Sequence, residues 1–247
     1  MNTLTLDLRP AEIALAARKE AFDRFAQLLT EQNRTMNLTR IDTPEHIQTR
    51  HFMDSLAALA VLDEVAAATT TSVFSMIDVG SGAGFPGLAI AIARPEWRIV
   101  SLEATDKKVH FQRQVCDKLN LANVDVRHGR AEAMAQDPAL REQFNVAAAR
   151  ALAGLDVLAE LTMAFVRPGG AGIFWKGPQV QEEIVVSGAA FEKMGAAITR
   201  LLDYKLPENT PVAADSTLFL AIAEKRDSTP TNYPRQNYAA IKKRPLR

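Results

Sequence analysis

Three glycines and one acid carry the first readable chemistry. Gly80, Gly82 and Gly84 stand in the run Asp78-Val-Gly-Ser-Gly-Ala-Gly-Phe-Pro-Gly87, between an apolar stretch, Val73 to Val79, and Leu88-Ala-Ile-Ala-Ile-Ala93. A strand, a glycine-dense bend and a helix start together make a site for a nucleotide-like ligand. Glycine permits positive φ and close backbone approach, and free N–H groups at a helix start attract polar or anionic groups. Pro86 suits the first helical turn, where a missing N–H costs nothing. Glu103 ends the next apolar run, Arg98 to Leu102, and stands 23 residues beyond Gly80. A carboxylate there can accept hydrogen bonds from both hydroxyls of a ribose and repels a 2′-phosphate. Each feature also has a plainer reading: a bend built for tight packing, and a solvated acid at a strand end.

The spacing narrows the ligand. A dinucleotide fingerprint needs G-x-G-x-x-G, and counted from Gly80 its third glycine would fall at Phe85. The G-x-G-x-G found here is similar to that of S-adenosylmethionine-dependent methyltransferases.

The elements that must position these residues follow from hydrophobic periodicity. Apolar residues from Ile13 to Leu29 recur at three- and four-residue intervals, which predicts an amphipathic helix over 10–31 opened by Pro10. Thr43 is a candidate N-cap with Pro44 behind it, and Asp54 and Ser55 form a second cap-like pair before Leu56 to Leu62. The run Ala66 to Ser72 reads as a linker. Beyond it, strands are expected at 73–78, 98–102, 124–128, 145–149, 171–175, 197–204 and 217–224, with helices at 86–93, 107–120, 155–166 and 180–194. Short apolar strands alternating with helices imply a parallel sheet covered on both faces. The polar, proline-containing segment Leu206 to Ser216 has no room for a helix, so the last two strands should form an antiparallel edge hairpin.

The expected fold class is therefore α/β: a Rossmann-like methyltransferase fold with a seven-stranded, mostly parallel sheet, an antiparallel edge hairpin and a small helical N-terminal unit. The expected division is 1–72 helical unit, 73–225 methyltransferase domain and 226–247 basic tail. The tail carries Arg226, Arg235, Lys242, Lys243, Arg244 and Arg247 against one acid, Asp227. It reads either as a poorly ordered terminus or as an RNA-contacting arm, with Tyr233 or Tyr238 stacking on bases.

Composition bounds the rest. With 247 residues and 47% hydrophobic content, the chain can bury a full core. No apolar stretch reaches 18 residues, and the N-terminus lacks the pattern of a secretory signal. The lone Cys116 excludes an internal disulfide and fits a reducing compartment, so a cytoplasmic protein is expected. Twenty-nine basic and 29 acidic residues argue mildly against a protein that coats nucleic acid, without excluding a local patch. His46, His51, His110 and His128 lack metal-ligand spacing, so no metal site is expected.

The methyl acceptor is constrained by what is missing. Enzymes that methylate exocyclic amines share an Asp- or Asn-Pro-Pro-aromatic motif after the fourth strand. Here that position reads Ala147-Ala-Ala-Arg-Ala-Leu152. Carbon-5 methylation of pyrimidines needs a thiolate, and Cys116 lies on another element. An acceptor with its own lone pair remains, a ring nitrogen or an oxygen; guanine N7 is a good candidate, for which alignment rather than proton removal is the work.

Together the motifs resemble a known family. Met36-Asn-Leu-Thr39, Arg50-His-Phe-Met-Asp-Ser55, Ile77 to Gly87, Lys107-Lys-Val-His-Phe111, Gly129-Arg-Ala-Glu132, Ala149-Arg-Ala151 and Lys176-Gly177 are similar to segments of the bacterial small-subunit ribosomal RNA methyltransferase G family, also called glucose-inhibited division protein B. The resemblance implies transfer of a methyl group from S-adenosylmethionine to N7 of a guanine in the decoding-region loop of 16S ribosomal RNA, by in-line displacement without a required general base. It implies 16S ribosomal RNA or the small ribosomal subunit as partner, and a monomer without metal or membrane association. Gly80, Gly82, Gly84, Phe85, Glu103, Ala131, Glu132 and Arg150 are then the expected cofactor-binding residues. Arg150 is also the candidate for positioning the acceptor, and Asn37, His51, Asp54 and Lys176 are candidate substrate contacts. The tail departs from the family pattern at Ala239 and Ala240, where a glycine is expected nearby. Several roles stay open on the residues alone. Glu132 could be a helix N-terminal acid, Arg150 a salt-bridge partner, and His51 with Asp54 a structural pair on one helix face. Two further readings share the loop: an NAD-dependent oxidoreductase, and a module that senses the cofactor without turning it over.

Overall fold

The computed structural model describes residues 3–41, 43–70, 73–207 and 217–246. Eight strands form one sheet: β1 (Thr3–Thr5), β2 (Ser75–Val79), β3 (Arg98–Glu103), β4 (Val124–His128), β5 (Phe144–Arg150), β6 (Val166–Lys176), β7 (Ala196–Tyr204) and β8 (Leu218–Lys225). Their order across the sheet is β1-β7-β8-β6-β5-β2-β3-β4. From β6 to β4 all pairs are parallel, and β8 runs antiparallel to both β6 and β7. The expected antiparallel pair is there, but it does not end the sheet. Short β1 adds itself parallel to β7, pairing Thr3 with Leu201 and Thr5 with Asp203. Three residues before a helix carry too little period-2 signal to be read as a strand. The segment 208–216, expected to lack a helix, lies outside the described residues.

Helices cover both faces, as the continuous apolar runs of the strands require. Adjacent strand residues divide between two cores. Met76, Ile99, Val146 and Ile173 point into one, and Ile77, Val100, Ala147 and Phe174 into the other. The first face is covered by α1 (Arg9–Ala17), α2 (Lys19–Met36), a winding segment made of α3 (Pro44–His46), a π-helix (Ile47–Met53) and α4 (Asp54–Leu56), then α5 (Leu59–Ala68), α6 (Gly87–Ala93) and α7 (Asp106–Leu119). The second is covered by α8 (Ala131–Met134), α9 (Leu155–Thr162) and α10 (Val180–Lys193), with α11 (Tyr238–Lys243) packed on α9.

Several boundaries differ from the sequence reading for local reasons. The helix expected over 10–31 is two helices, because Arg18 leaves helical geometry at φ −117° and ψ 24°. α5 runs on to Ala68, since a row of alanines continues a helix rather than linking two units. Thr71 and Ser72 of that run are outside the described residues. Thr43 caps α3 as expected, its hydroxyl accepting from the His46 N–H at 3.4 Å. Asp54 does not cap the following helix, because its carboxylate is taken up by residues of the sheet, as shown below. The tail is not a loose terminus. It carries α11, and Ile241 is fully buried.

Candidate functional site

A cleft of about 410 Å³ opens where the carboxyl ends of β2, β3, β4 and β5 meet. Such edges are where open α/β sheets take ligands. Gly80, Gly82, Phe85, Glu103, Ala131, Glu132, His51 and Arg150 all line it. Gly84 stands behind the wall at φ 98°, supporting the bend. A Cβ built on Gly82 meets nothing within 4 Å, so this residue leaves the wall open.

The glycine bend is closed on itself. The amides of Gly80 and Ser81 both donate to the Leu102 carbonyl, those of Gly84 and Phe85 to the Ser81 carbonyl, and that of Leu88 to the Gly84 carbonyl. Gly87 N–H donates to Asp78 Oδ2 at 2.7 Å and Gly82 N–H to Glu103 Oε2 at 2.9 Å. The N–H groups of Gly80, Ser81, Gly82, Gly84, Phe85, Gly87 and Leu88, several of them expected to be free, are therefore occupied. A pyrophosphate needs such groups free, so the bend suits a nucleoside without phosphates. Gln112, fully buried, bridges the bend to β3. It accepts from Ser101 Oγ at 2.6 Å and donates to Ser81 Oγ and to the Gly82 carbonyl, both at 2.8 Å.

Glu103 is buried at 6% exposure, with Oε1 accepting from Thr105 N–H at 2.8 Å while Oε2 holds Gly82. Each carboxylate oxygen keeps acceptor capacity for a hydroxyl. Asp78 is wholly buried, its Oδ1 has no hydrogen-bond partner, and burial pushes its carboxyl up to about 7. Glu132, in the first turn of α8, is 3.3 Å from Arg130 Nε.

Arg150, the last residue of β5, is the hub of a polar network. Its Nη1 donates to the Arg50 carbonyl at 3.0 Å and to Asp54 Oδ2 at 2.7 Å, and its Nη2 donates to His51 Nδ1 at 3.0 Å. Since Nδ1 accepts, the neutral ring carries its proton on Nε2, which donates to Thr39 Oγ1 at 3.0 Å. Burial, with the adjacent Arg150 charge, lowers the His51 pKa to about 3, so the ring stays neutral. Phe85 lies nearly parallel to His51, with centroids 4.4 Å apart, and the Arg150 guanidinium is 5.3 Å from the Phe85 ring. Asp54 Oδ1 accepts from Tyr204 at 2.6 Å, and its carbonyl accepts from Trp175 Nε1 at 2.7 Å. His51 and Asp54 thus do share a helix face, and that face grips Arg150.

A second cleft of about 450 Å³ adjoins the first. It is lined by Asp54, Trp175, Lys176, Pro178 and Tyr204, and it shares Arg150 and Ala151 with the first cleft. Lys176 Nζ is 2.6 Å from Glu183 Oε2 and donates to the Ala153 carbonyl at 2.9 Å. Asn37 stands apart from both. It is exposed, left-handed at φ 48°, and ends α2, while its neighbours Leu38 and Thr39 reach the cleft. Thr39, Lys108 and Arg130 lie in segments that sequence reasoning singled out without giving them a role, Tyr238 was read only as a base-stacking residue of the tail, and Gln112 was missed. The period-3.6 pattern could have placed Gln112 on the inner face of its helix. Cys116 is partly buried on α7, with its thiol pushed up to about 12 by burial, so it is held protonated away from the clefts. Among the described residues no group of His, Cys, Asp or Glu could hold a metal ion, and no helix is long and apolar enough to cross a membrane.

Comparison with known proteins agrees with this geometry. The family model for rRNA small subunit methyltransferase G matches residues 18–208. A ribosomal RNA small subunit methyltransferase G of Leuconostoc citreum is 38% identical over 230 residues, 93% of this chain and 92% of that protein. Its counterpart in Clostridium beijerinckii is 37% identical over 239 residues, 96% and 95% of the two chains. Among solved structures, a variant of the 16S rRNA (adenine(1408)-N(1))-methyltransferase from Catenulisporales acidiphilia superposes with a TM-score of 0.50 at 20% identity, over 67% of this chain and 92% of that one, which speaks to the fold. A family model spanning most of the chain, and relatives matched almost end to end, leave one placement: the chain belongs to the rRNA small subunit methyltransferase G family.

Proposed function

We propose that the first cleft holds S-adenosylmethionine and the second receives a guanine of 16S ribosomal RNA, whose N7 is methylated. The observation that carries this reading is the junction at Arg150 and Ala151, where a nucleoside-type cleft with most of its loop amides engaged meets a second cleft that has no unengaged base. Bound in the first cleft, S-adenosylmethionine supplies an activated methyl group on its sulfonium. The residues present fit it. Gly82 leaves space for the ligand, Glu103 offers acceptors to a ribose diol, and Phe85, Ala131 and Glu132 complete the walls.

The chain's own residues act by placement. His51 is neutral with both ring nitrogens engaged, the Tyr204 hydroxyl donates a hydrogen bond to Asp54, and Lys176 is paired with Glu183. None of them is free to remove a proton. Guanine N7 has none to remove, so transfer there depends on proximity and orientation. Arg150, fixed by three acceptors, stands at the junction, where its charge and a remaining N–H suit O6 of a guanine and leave the N7 lone pair for the methyl group. Asp54 and His51 serve as positioning residues for Arg150, and Lys176 shapes the acceptor cleft. Asn37, exposed and apart from both clefts, is assigned to the RNA-facing surface.

The working division is 1–72 as a helical cover, 73–225 as the catalytic part and 226–247 as a tail whose exposed Lys242, Lys243 and Arg244 face RNA phosphates. The protein acts as a cytoplasmic monomer without a metal. Incubation with tritiated S-adenosylmethionine and small ribosomal subunits tests the reading. Label should appear at a guanine whose strand is cleaved after borohydride reduction and aniline treatment. Label only at adenine or pyrimidine would overturn the acceptor assignment. A strong affinity for NAD with none for S-adenosylmethionine would overturn the donor.

A further inference from the structure

The C-terminal segment reaches the donor cleft. Tyr238, the first residue of α11, lines it, and the Arg130 guanidinium carbon lies 4.6 Å from the Tyr238 ring centroid. Ile241, one helical turn on, is fully buried against Val157 and Leu161 of α9. The same small apolar cluster takes in Ala131, Leu152 and Tyr238. Ala131, Leu152 and Leu161 are themselves walls of the cleft. The helix that closes the chain and the wall that would face a ligand are thus one packed unit.

That unit is anchored. Asn237 caps α11, its side chain accepting from Ala240 N–H at 3.0 Å. Arg235 donates its backbone N–H and its guanidinium to Glu160, which is fully buried. Gln136 Nε2 donates to the Pro234 carbonyl at 2.9 Å. Tyr238 is therefore held in place and does not sweep through solvent.

On the donor reading above, we propose that Tyr238 and Arg130 form the purine end of the donor cleft, so that the C-terminal segment is part of the donor-binding site. Glu103, at the end of β3, marks where the ribose sits. Gly129 to Glu132 follow β4, the next strand outward, and Tyr238 stands against them. A purine presents an apolar face and an uncharged polar edge. An aromatic ring backed by a guanidinium offers a flat face to match, and the Arg130 charge is offset by Glu132 at 3.3 Å. Neither residue was singled out by the glycine and acid spacing, because Tyr238 lies far along the chain from both.

Calorimetry of the full chain with S-adenosylhomocysteine tests the assignment. Tyr238→Ala should weaken binding about tenfold, and Tyr238→Phe, which keeps the ring face, should bind like the unaltered protein. Thermal midpoints of both variants show whether the fold is retained. Unchanged affinity in Tyr238→Ala overturns the proposal, and so does an unchanged affinity coupled to a raised KM for RNA, which would place the ring on the acceptor. If the unaltered protein does not bind S-adenosylhomocysteine, the donor reading itself fails, which is a separate result. Should Tyr238→Ala fold poorly, hydrogen exchange on the unaltered protein decides. Amides of 238–243 should slow about tenfold at saturating ligand, and unchanged exchange overturns the proposal.

Discussion

Glu103→Gln separates the job that the carboxylate is seen to perform, bracing the bend, from the one proposed for it, holding a ribose diol. In the structure its oxygens accept from Gly82 N–H at 2.9 Å and from Thr105 N–H at 2.8 Å, at 6% exposure. Glutamine can keep one of these bonds. Its amide nitrogen must then face the other backbone N–H, donor against donor. Loss of one hydrogen bond to a charged, buried acceptor costs about 1.5–3 kcal/mol. For a chain of this size that is a drop of roughly 3–12 °C in thermal midpoint. The same substitution removes the charged acceptor for the ribose diol, a loss of about 1.5–3 kcal/mol again, or roughly 10- to 150-fold in Kd. Calorimetry with S-adenosylhomocysteine at 15 °C, well below either midpoint, reads the second effect apart from the first. A lowered midpoint with an unchanged Kd would refute the diol role and leave Glu103 as a brace for the glycine bend.

Further outcomes follow from buried charge. Arg235→Ala strands Glu160, which is 0% exposed, and should cost about 3 kcal/mol in urea unfolding, the low end for a broken buried pair because Arg235 is 31% exposed; a loss under about 1 kcal/mol would show that water reaches the carboxylate. His51, held near 3 against about 6.5 unfolded, contributes stability that is full above pH 6.5 and is lost as pH falls toward 3. Asp78, raised to about 7 from an ordinary 3.8, has the opposite sign: its contribution is full below pH 3.8 and is lost as pH rises toward 7. Between pH 4 and 6 the two oppose each other, so Asp78→Asn should make stability rise with pH, by up to about 1.4 kcal/mol per unit, and His51→Gln should make it fall; unfolding profiles that stay parallel to that of the unaltered protein would refute both assignments.

The parts of this molecule legible in the sequence are those whose signal is local. β2, the glycine bend and β3 were readable because period, glycine spacing and a terminal acid lie within 26 residues, Asp78 to Glu103. The parallel character of the sheet and the antiparallel β7–β8 pair were readable from alternation and a short connection, while the order of the strands was not. β1 was not, since three residues have no period and their partner, β7, is some two hundred residues away. The helix start was misjudged for a related reason. Free amides were inferred from the glycines, but Asp78 and Glu103 turn inward to bind them, and side-chain direction is set by tertiary packing. Asp54 looked like a cap because its sequence neighbours suit one, and only the folded chain shows Arg150 and Tyr204 competing for its oxygens. Tyr238 carries no local signature of a cleft wall.

The junction between the clefts explains why so many charged and aromatic groups are spent on one arginine. Ala151, directly after Arg150, sits at φ 54°, a left-handed conformation that costs a residue with a Cβ about 1–2 kcal/mol. Such strain persists only where the surroundings over-determine it. They do here from both sides. Arg150 is tied to Asp54, His51 and the Arg50 carbonyl, while the Ala153 carbonyl is tied to Lys176. Between those anchors Ala151 lines both clefts and Leu152 lines the first, and a Cβ on Gly80 would approach Leu152 to 2.7 Å, so the bend and this segment are fitted to each other. On the reading proposed above, methyl transfer to an unprotonated ring nitrogen needs two ligands in direct contact and held in line, and a fixed edge shared by both clefts, with no free base beside it, suits that.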